Sequence, residues 1–234
     1  FTFYFLFMVL ESLLNPKKVN GKPWEMFFIG AVYSFVSAFL ALWIFKSYVS
    51  IIMITFTIVA SIPLVRELIR LEEQKEKKIK LESALLKEHG AAVKALTFLF
   101  LGFTFSFVLL YLFLPGALVE NMFSAQLDTI ITVQSGPTGN FFSSLGILSQ
   151  ILLNNVKILF FCIVFSFFYG AGAIFILTWN ASVMAAAIGS FIRNNITTSV
   201  GHVAYLHIPF VGIMQYFLHG IPEIIAYFIG ALAS

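Results

Sequence analysis

The chain has 234 residues and a net charge of +3; 60% of the residues are hydrophobic, 17% are aromatic and only 11% are charged. A soluble domain of this length would have too little polar surface to cover so much apolar material. The composition therefore excludes a soluble globular protein and predicts an integral membrane protein. The single cysteine, Cys162, excludes an internal disulfide and a cysteine metal site.

Residues 1–25 are predicted to be a cytoplasmic or interfacial N-terminal segment. The first ten residues are apolar, but a helix that crosses a bilayer needs about 20. Glu11 and the pair Asn15 and Pro16 then end the apolar run. We therefore expect a helix that lies at the membrane surface.

Residues 26–65 are predicted to form a transmembrane helical hairpin. Residues 26–45 give 20 positions without a charge, and residues 48–65 give 18. Each run is close to the length of a membrane-spanning helix, about 20 residues. Only Lys46 and Ser47 separate the two runs, so we expect tightly connected antiparallel helices.

Residues 66–94 form a charged segment that is predicted to be cytoplasmic. Eight of the 14 lysines and arginines fall in this segment, whereas residues 115–155 contain none. Positive residues concentrate on the cytoplasmic flanks of membrane helices. We therefore expect the 66–94 segment and the N-terminal flank inside, and the Lys46 turn and residues 115–157 outside.

The order of charges within residues 66–94 predicts a helix. Glu73 and Lys77, and likewise Glu76 and Lys80, are four positions apart with the acidic residue first, which stabilises an exposed helix. No Gly or Pro occurs between residues 65 and 88, so we expect the neighbouring membrane helices to extend into the segment. Two roles stay open: a solvated helical extension, or a docking platform for a cytoplasmic partner.

Residues 95–114 give a third uncharged run of 20 positions, and residues 115–157 follow as an extracytoplasmic segment. Within that segment, residues 134–140 contain two glycines and a proline, which predicts a turn. The apolar residues 141–153 are expected to form a helix that lies at the outer surface.

Residues 158–234 are predicted to form a core of interrupted membrane helices. Residues 158–192 carry no charge over 35 positions, which is too long for one crossing and too short for two. We expect a helix over 158–178, a break at Trp179 and Asn180, and a shorter helix over 181–192 that Asn180 caps. The predicted fold is an all-α, polytopic membrane bundle of about six membrane segments, the last two interrupted or short.

Small residues predict how these helices pack. Ala181, Ala185 and Gly189 form a stripe at helical spacing, and Gly170 and Gly172 precede it. Small side chains let helix backbones approach closely, which favours association of helices in lipid. The alternative is that these glycines bend a helix around a substrate.

A polar run at residues 218–223 interrupts the last apolar stretch. Gly220 and Pro222 are predicted to break the helix, and Pro222 is suited to the first turn of a new one. Glu223 then falls in that first turn, where the helix dipole favours a carboxylate, and His219 lies just upstream.

Glu223 is the only acidic residue after position 128, and a charge within the membrane needs a partner. We therefore predict an intramembrane polar cluster of Asn180, His219 and Glu223. Two interpretations stay open: a structural cluster that caps and pins a helix, or a protonatable or ion-binding site.

Three of these motifs together resemble the stage II sporulation protein M family of polytopic membrane proteins. They are Tyr-Gly-Ala-Gly at residues 169–172, Thr-Trp-Asn at 178–180, and Leu-His-Gly-Ile-Pro-Glu at 218–223. The resemblance covers residues 150–234, and the first 114 residues resemble archaeal-type members; Ala181 departs from the Gly that is common in the family. In sporulating bacteria the resemblance implies a membrane scaffold that localises peptidoglycan-degrading enzymes.

The sequence leaves three function classes open: a scaffold, a transporter or channel with a polar site at the broken helices, and an intramembrane metalloenzyme. It has no nucleotide-binding loop, no Gly-x-Ser-x-Gly and no His-Glu-x-x-His. His202 and His207 are five apart and would point in different directions on a helix, so no metal site or other cofactor is predicted. We expect a non-catalytic scaffold, not an enzyme.

The expected location is the cell membrane, which the chain crosses several times. The expected partners are membrane lipids, other membrane or envelope proteins, and further copies of the same chain. No nucleic-acid partner is expected.

Overall fold

The computed structural model describes residues 23–76, 82–134 and 171–198, together with positions 211 and 214. The regular elements of this part are all helices, and four of them, Glu25–Ile44, Val49–Glu76, Glu82–Phe113 and Ala171–Thr198, are long and apolar enough to cross a membrane. The six helices are α1 (Glu25–Ile44), α2 (Val49–Glu76), α3 (Glu82–Phe113), α4 (Gly116–Met122), α5 (Ser124–Gln134) and α6 (Ala171–Thr198). The described part is an all-helical bundle with four candidate membrane spans; the other expected segments lie outside it.

The predicted hairpin is present as α1 and α2, joined by the turn at residues 45–48. Helix α1 begins and ends one residue from the expected positions, and α2 begins one residue from its expected start but continues past residue 65 into the charged segment. Tyr48 adopts a left-handed backbone conformation with φ of 62°, and its carbonyl accepts from the N–H of Ile52 as α2 begins. A non-glycine residue in this conformation is strained, so the turn is held by its flanking helices.

The charged segment extends the membrane helices, as the lack of Gly and Pro between residues 65 and 88 predicts. Helix α2 continues to Glu76 and α3 begins at Glu82, well before its apolar part at residues 92–113. One ion pair in this region joins Arg70 to Glu67 at 3.7 Å on an exposed face, where such pairs add little stability. The predicted partners Lys77 and Lys80 lie outside the described residues.

Helices α1 and α3 touch backbone to backbone at two glycines. A Cβ atom built on Gly102 would collide with the carbonyl oxygen of Phe27 and lie 2.9 Å from the nitrogen of Ala31. A Cβ atom on Gly30 would lie 2.6 Å from the carbonyl oxygen of Leu99. Only glycine permits this approach, which maximises the van der Waals contact that holds helices together in lipid.

The expected helix break at Trp179 and Asn180 is wrong. Helix α6 runs without interruption from residue 171 to 198, so Asn180 is inside a helix and does not cap one. A single asparagine costs a helix less than about 1 kcal/mol relative to alanine, which tertiary packing readily offsets. The ring of Trp179, at the expected break, stacks on Phe175 one turn earlier, with centroids 6.4 Å apart.

The first part of the expected outer segment is a pair of short helices, α4 and α5, packed on one end of the bundle. The ring of Phe123, between the two helices, contacts Tyr111 and Phe107 of α3, with centroids 5.1 and 6.3 Å apart. The side-chain amide of Asn121 donates to the carbonyl of Lys46 at 3.2 Å. The turn at residues 45–48 and the α4–α5 pair therefore lie at the same end. The predicted turn at 134–140 and surface helix at 141–153 fall outside the described residues, except for Gln134.

Candidate functional site

Only part of the predicted polar cluster falls in the described region. Asn180 lies half-buried on α6. His219, Gly220, Pro222 and Glu223 lie outside the described residues, so their grouping with Asn180 stays a prediction. Gly170 is also outside, and Gly172 is in the first turn of α6.

The small residues of α6 lie on its buried side. Ala181 and Ala185 are fully buried, and α6 packs against α3, α2 and α5. A Cβ atom on Gly189 would lie 2.5 Å from a ring carbon of Tyr111 on α3. The absence of a side chain at Gly189 thus makes room for an aromatic ring from the neighbouring helix.

Arg193, one turn after Gly189, connects α6 to the C-terminal end of α3. Its guanidinium donates a hydrogen bond to the carbonyl of Leu114, and it lies 5.9 Å from the centre of the Tyr111 ring. The last carbonyls of a helix have no partner within the helix, and the negative end of the helix dipole attracts a cation. Arg193 therefore supplies both a hydrogen-bond donor and a positive charge at the end of α3.

Polar side chains from α2, α5 and α6 meet at another contact. The hydroxyl of Ser50 on α2 donates to Oε1 of Gln126 on α5 at 2.7 Å, and Nε2 of Gln126 donates to Oγ of Ser182 on α6 at 3.1 Å. We call these three residues the Gln126 cluster. All three side chains are almost completely buried. Because buried polar groups are costly unless bonded, the cluster ties α5 to both membrane helices.

Several other hydroxyls in the described bundle are satisfied within their own helix. Those that donate to the carbonyl four residues earlier are Ser34, Thr55, Thr57, Ser61, Thr97, Thr104 and Thr129. Two buried hydroxyls, on Ser106 and Thr178, have no hydrogen-bond partner among the residues that the structure describes. Thr178 lies one turn before Ser182 on α6.

Within the described ranges, no three His, Cys, Asp or Glu side chains are grouped closely enough to hold a metal ion. The Gln126 cluster consists of neutral hydroxyls and an amide, which connect helices but supply neither a strong base nor a strong acid.

Sequence reasoning missed the Gln126 cluster and the Gly30 and Gly102 contact. Gln126 is 76 positions from Ser50 and 56 from Ser182, so no local spacing connects them. The signal in the sequence was the polar amide of Gln126, at a position that becomes buried once α5 forms and packs on the bundle. For the glycines, the signal was a row of small residues at helical spacing on α1, continued by Ser34, Ala38 and Ala41.

Comparison of the chain with protein-family models, curated proteins and solved structures gave no significant match. The resemblance to the stage II sporulation protein M family therefore rests on the residues named above alone.

Proposed function

We propose that the protein is a multi-pass membrane protein of the cell envelope that acts as a non-catalytic scaffold for other membrane or envelope proteins. The proposal rests on the exposure of the large apolar side chains on the outer face of α1. One side of α1 is fixed to α3 and α2, while its other side is exposed along the whole helix. The exposed residues of this outer face include Trp24, Phe28, Val32, Phe35, Phe39 and Trp43.

The dimensions of α1 support a location within the bilayer. Its 20 residues correspond to about 30 Å, which matches the thickness of the hydrocarbon core. Trp24 lies at one end of the outer face and Trp43, which is 82% exposed, at the other. Tryptophan is enriched at both membrane interfaces. The outer face is then available to lipids and to the helices of other proteins.

The rigidity of α1 supports a scaffolding role. The backbone contacts at Gly30 and Gly102 fix the helix relative to α3, so its exposed aromatic side chains are held in a defined arrangement. Phe35 and Phe39 lie with ring centroids 4.7 Å apart on this face. Preorganised aromatic side chains are typical anchors of protein interfaces because little entropy is lost when they bind.

Photo-crosslinking in native membranes tests the proposal. A photoreactive phenylalanine analogue at Phe35 should give a discrete protein adduct, either with another envelope protein or with a second copy of the chain. The same analogue at Val59 on α2, which is 58% exposed compared with 46% for Phe35, should give only lipid adducts and serves as the matched control. If both positions label only lipid, the outer face of α1 is not a docking surface and the proposal is wrong.

A transporter or channel is the alternative function. It is motivated by Glu223, because an ionisable side chain within a membrane segment commonly marks an ion or substrate path. The polar site would involve Asn180 with His219 and Glu223. Protein-dependent proton flux in liposomes that is lost in Glu223→Gln would support this alternative, whereas a scaffold carries no such flux.

A further inference from the structure

Two contacts near the C-terminal end of α6 indicate the direction in which this helix runs. Gly189 lies against the ring of Tyr111, and the guanidinium of Arg193 donates to the carbonyl of Leu114. From the first contact to the second, the position advances from 189 to 193 along α6 and from 111 to 114 along α3. At the rise of an α-helix these steps correspond to about 6 Å and about 4.5 Å, in the same sense. The contacts therefore indicate that α6 is parallel to α3.

The first half of α6 excludes the opposite direction. Gly189 lies against Tyr111, only two residues before α3 ends at Phe113. If α6 ran antiparallel to α3, Ile174 would project about 22 Å beyond that point. Instead Ile174 is buried, and the Gln126 cluster connects Ser182 to the membrane span of α2. The first half of α6 therefore lies alongside the membrane helices and not beyond their end.

We infer that α6 crosses the membrane in the same direction as α3, so that its C-terminal end, with Asn194, is external. The excess of lysine and arginine over residues 66–94 predicts that α3 begins in the cytoplasm and ends outside. A parallel α6 also begins in the cytoplasm, on the opposite side from the α4–α5 pair. Its C-terminal end joins this pair and the turn at residues 45–48 at the external end of the bundle. The inference does not rest on the scaffold role.

The contacts of Arg193 explain how a positive charge is accommodated on the external side. Its guanidinium bonds to a carbonyl at the C-terminal end of α3, where the helix dipole is negative, and lies 5.9 Å from the centre of the Tyr111 ring. The orientation of a membrane protein follows the overall bias of lysine and arginine, and residues 66–94 contain eight of them. One external arginine with these partners is therefore compatible with the orientation.

Labelling of single cysteines in intact cells tests the direction of α6. In a Cys162→Ser background, Asn194→Cys should react with a membrane-impermeant thiol reagent added outside, as Ser47→Cys in the turn at residues 45–48 should. Asn194 is exposed, so the substitution should be compatible with folding. Ser83→Cys, at the cytoplasmic start of α3, is the matched control and should react only after permeabilisation.

An Asn194→Cys protein that reacts only after permeabilisation, or not at all, would overturn the inference. Thr198→Cys, at the last residue of α6, gives the same test with the same expected pattern if the Asn194 variant does not fold.

Discussion

Gly102→Leu is expected to prevent assembly of the bundle. The backbone of α1 passes through the space that a side chain at position 102 would occupy, and a Cβ atom alone would collide with the Phe27 carbonyl. Backbone atoms cannot rotate away as a flexible side chain can, so α1 would have to separate from α3. The variant should lose its monodisperse peak in size-exclusion chromatography in detergent, and its thermal unfolding transition should disappear or fall by more than 10 °C, corresponding to at least about 3–4 kcal/mol.

Two alanine variants provide a control with opposite expected signs. Alanine is favoured over glycine in a helix by about 1 kcal/mol. At Gly116 on α4 an added Cβ meets open space, so Gly116→Ala should leave stability unchanged or raise it. Gly102→Ala should lower stability by about 1–3 kcal/mol because the collision outweighs the propensity. Equal behaviour of the two variants would contradict the close contact of α1 with α3.

Gln126→Ala is expected to give the second-largest loss of stability. It removes the hydrogen bonds to Ser50 and Ser182 and leaves space where a buried side chain was. At about 1 kcal/mol for each buried hydrogen bond and a further term for the cavity, the loss should be about 2–4 kcal/mol in the free energy of unfolding. The α4–α5 pair should also become more sensitive to limited proteolysis, because Gln126 ties α5 to both α2 and α6.

Glu120→Ala is the control for this prediction, since Glu120 is exposed on the neighbouring α4. It should leave the unfolding midpoint and the cleavage pattern unchanged. Comparable losses in the Glu120 and Gln126 variants would mean that the α4–α5 pair is marginal for other reasons and that the Gln126 cluster contributes little.

The membrane helices could be predicted closely because their main determinant is local. A charge-free run of about 20 residues is sufficient to indicate a span, and α1, α2 and α3 all include such a run. The continuation of α2 past Arg66 was also predictable, since nothing in the charged segment interrupts a helix. These features need no knowledge of what the helices contact.

The details of packing could not be predicted, because they depend on residues far apart in the chain. Nothing in the local sequence distinguishes Gly30 and Gly102 from other glycines, because their role depends on where α1 and α3 cross. The role of Gln126 likewise depends on the packing of α5 against α2 and α6. The break expected at Trp179 and Asn180 shows the converse error. The local signal of one asparagine is weak, and α6, which packs against α3, runs through this position without interruption.

The most direct test of the central claim is the labelling of single cysteines in intact cells. The turn at residues 45–48 and the charged start of α3 should lie on opposite sides of the membrane. In a Cys162→Ser background, Ser47→Cys should react with a membrane-impermeant thiol reagent added outside, and Ser83→Cys should react only after permeabilisation. Labelling of both cysteines from the same side would contradict a bundle that crosses the membrane between them.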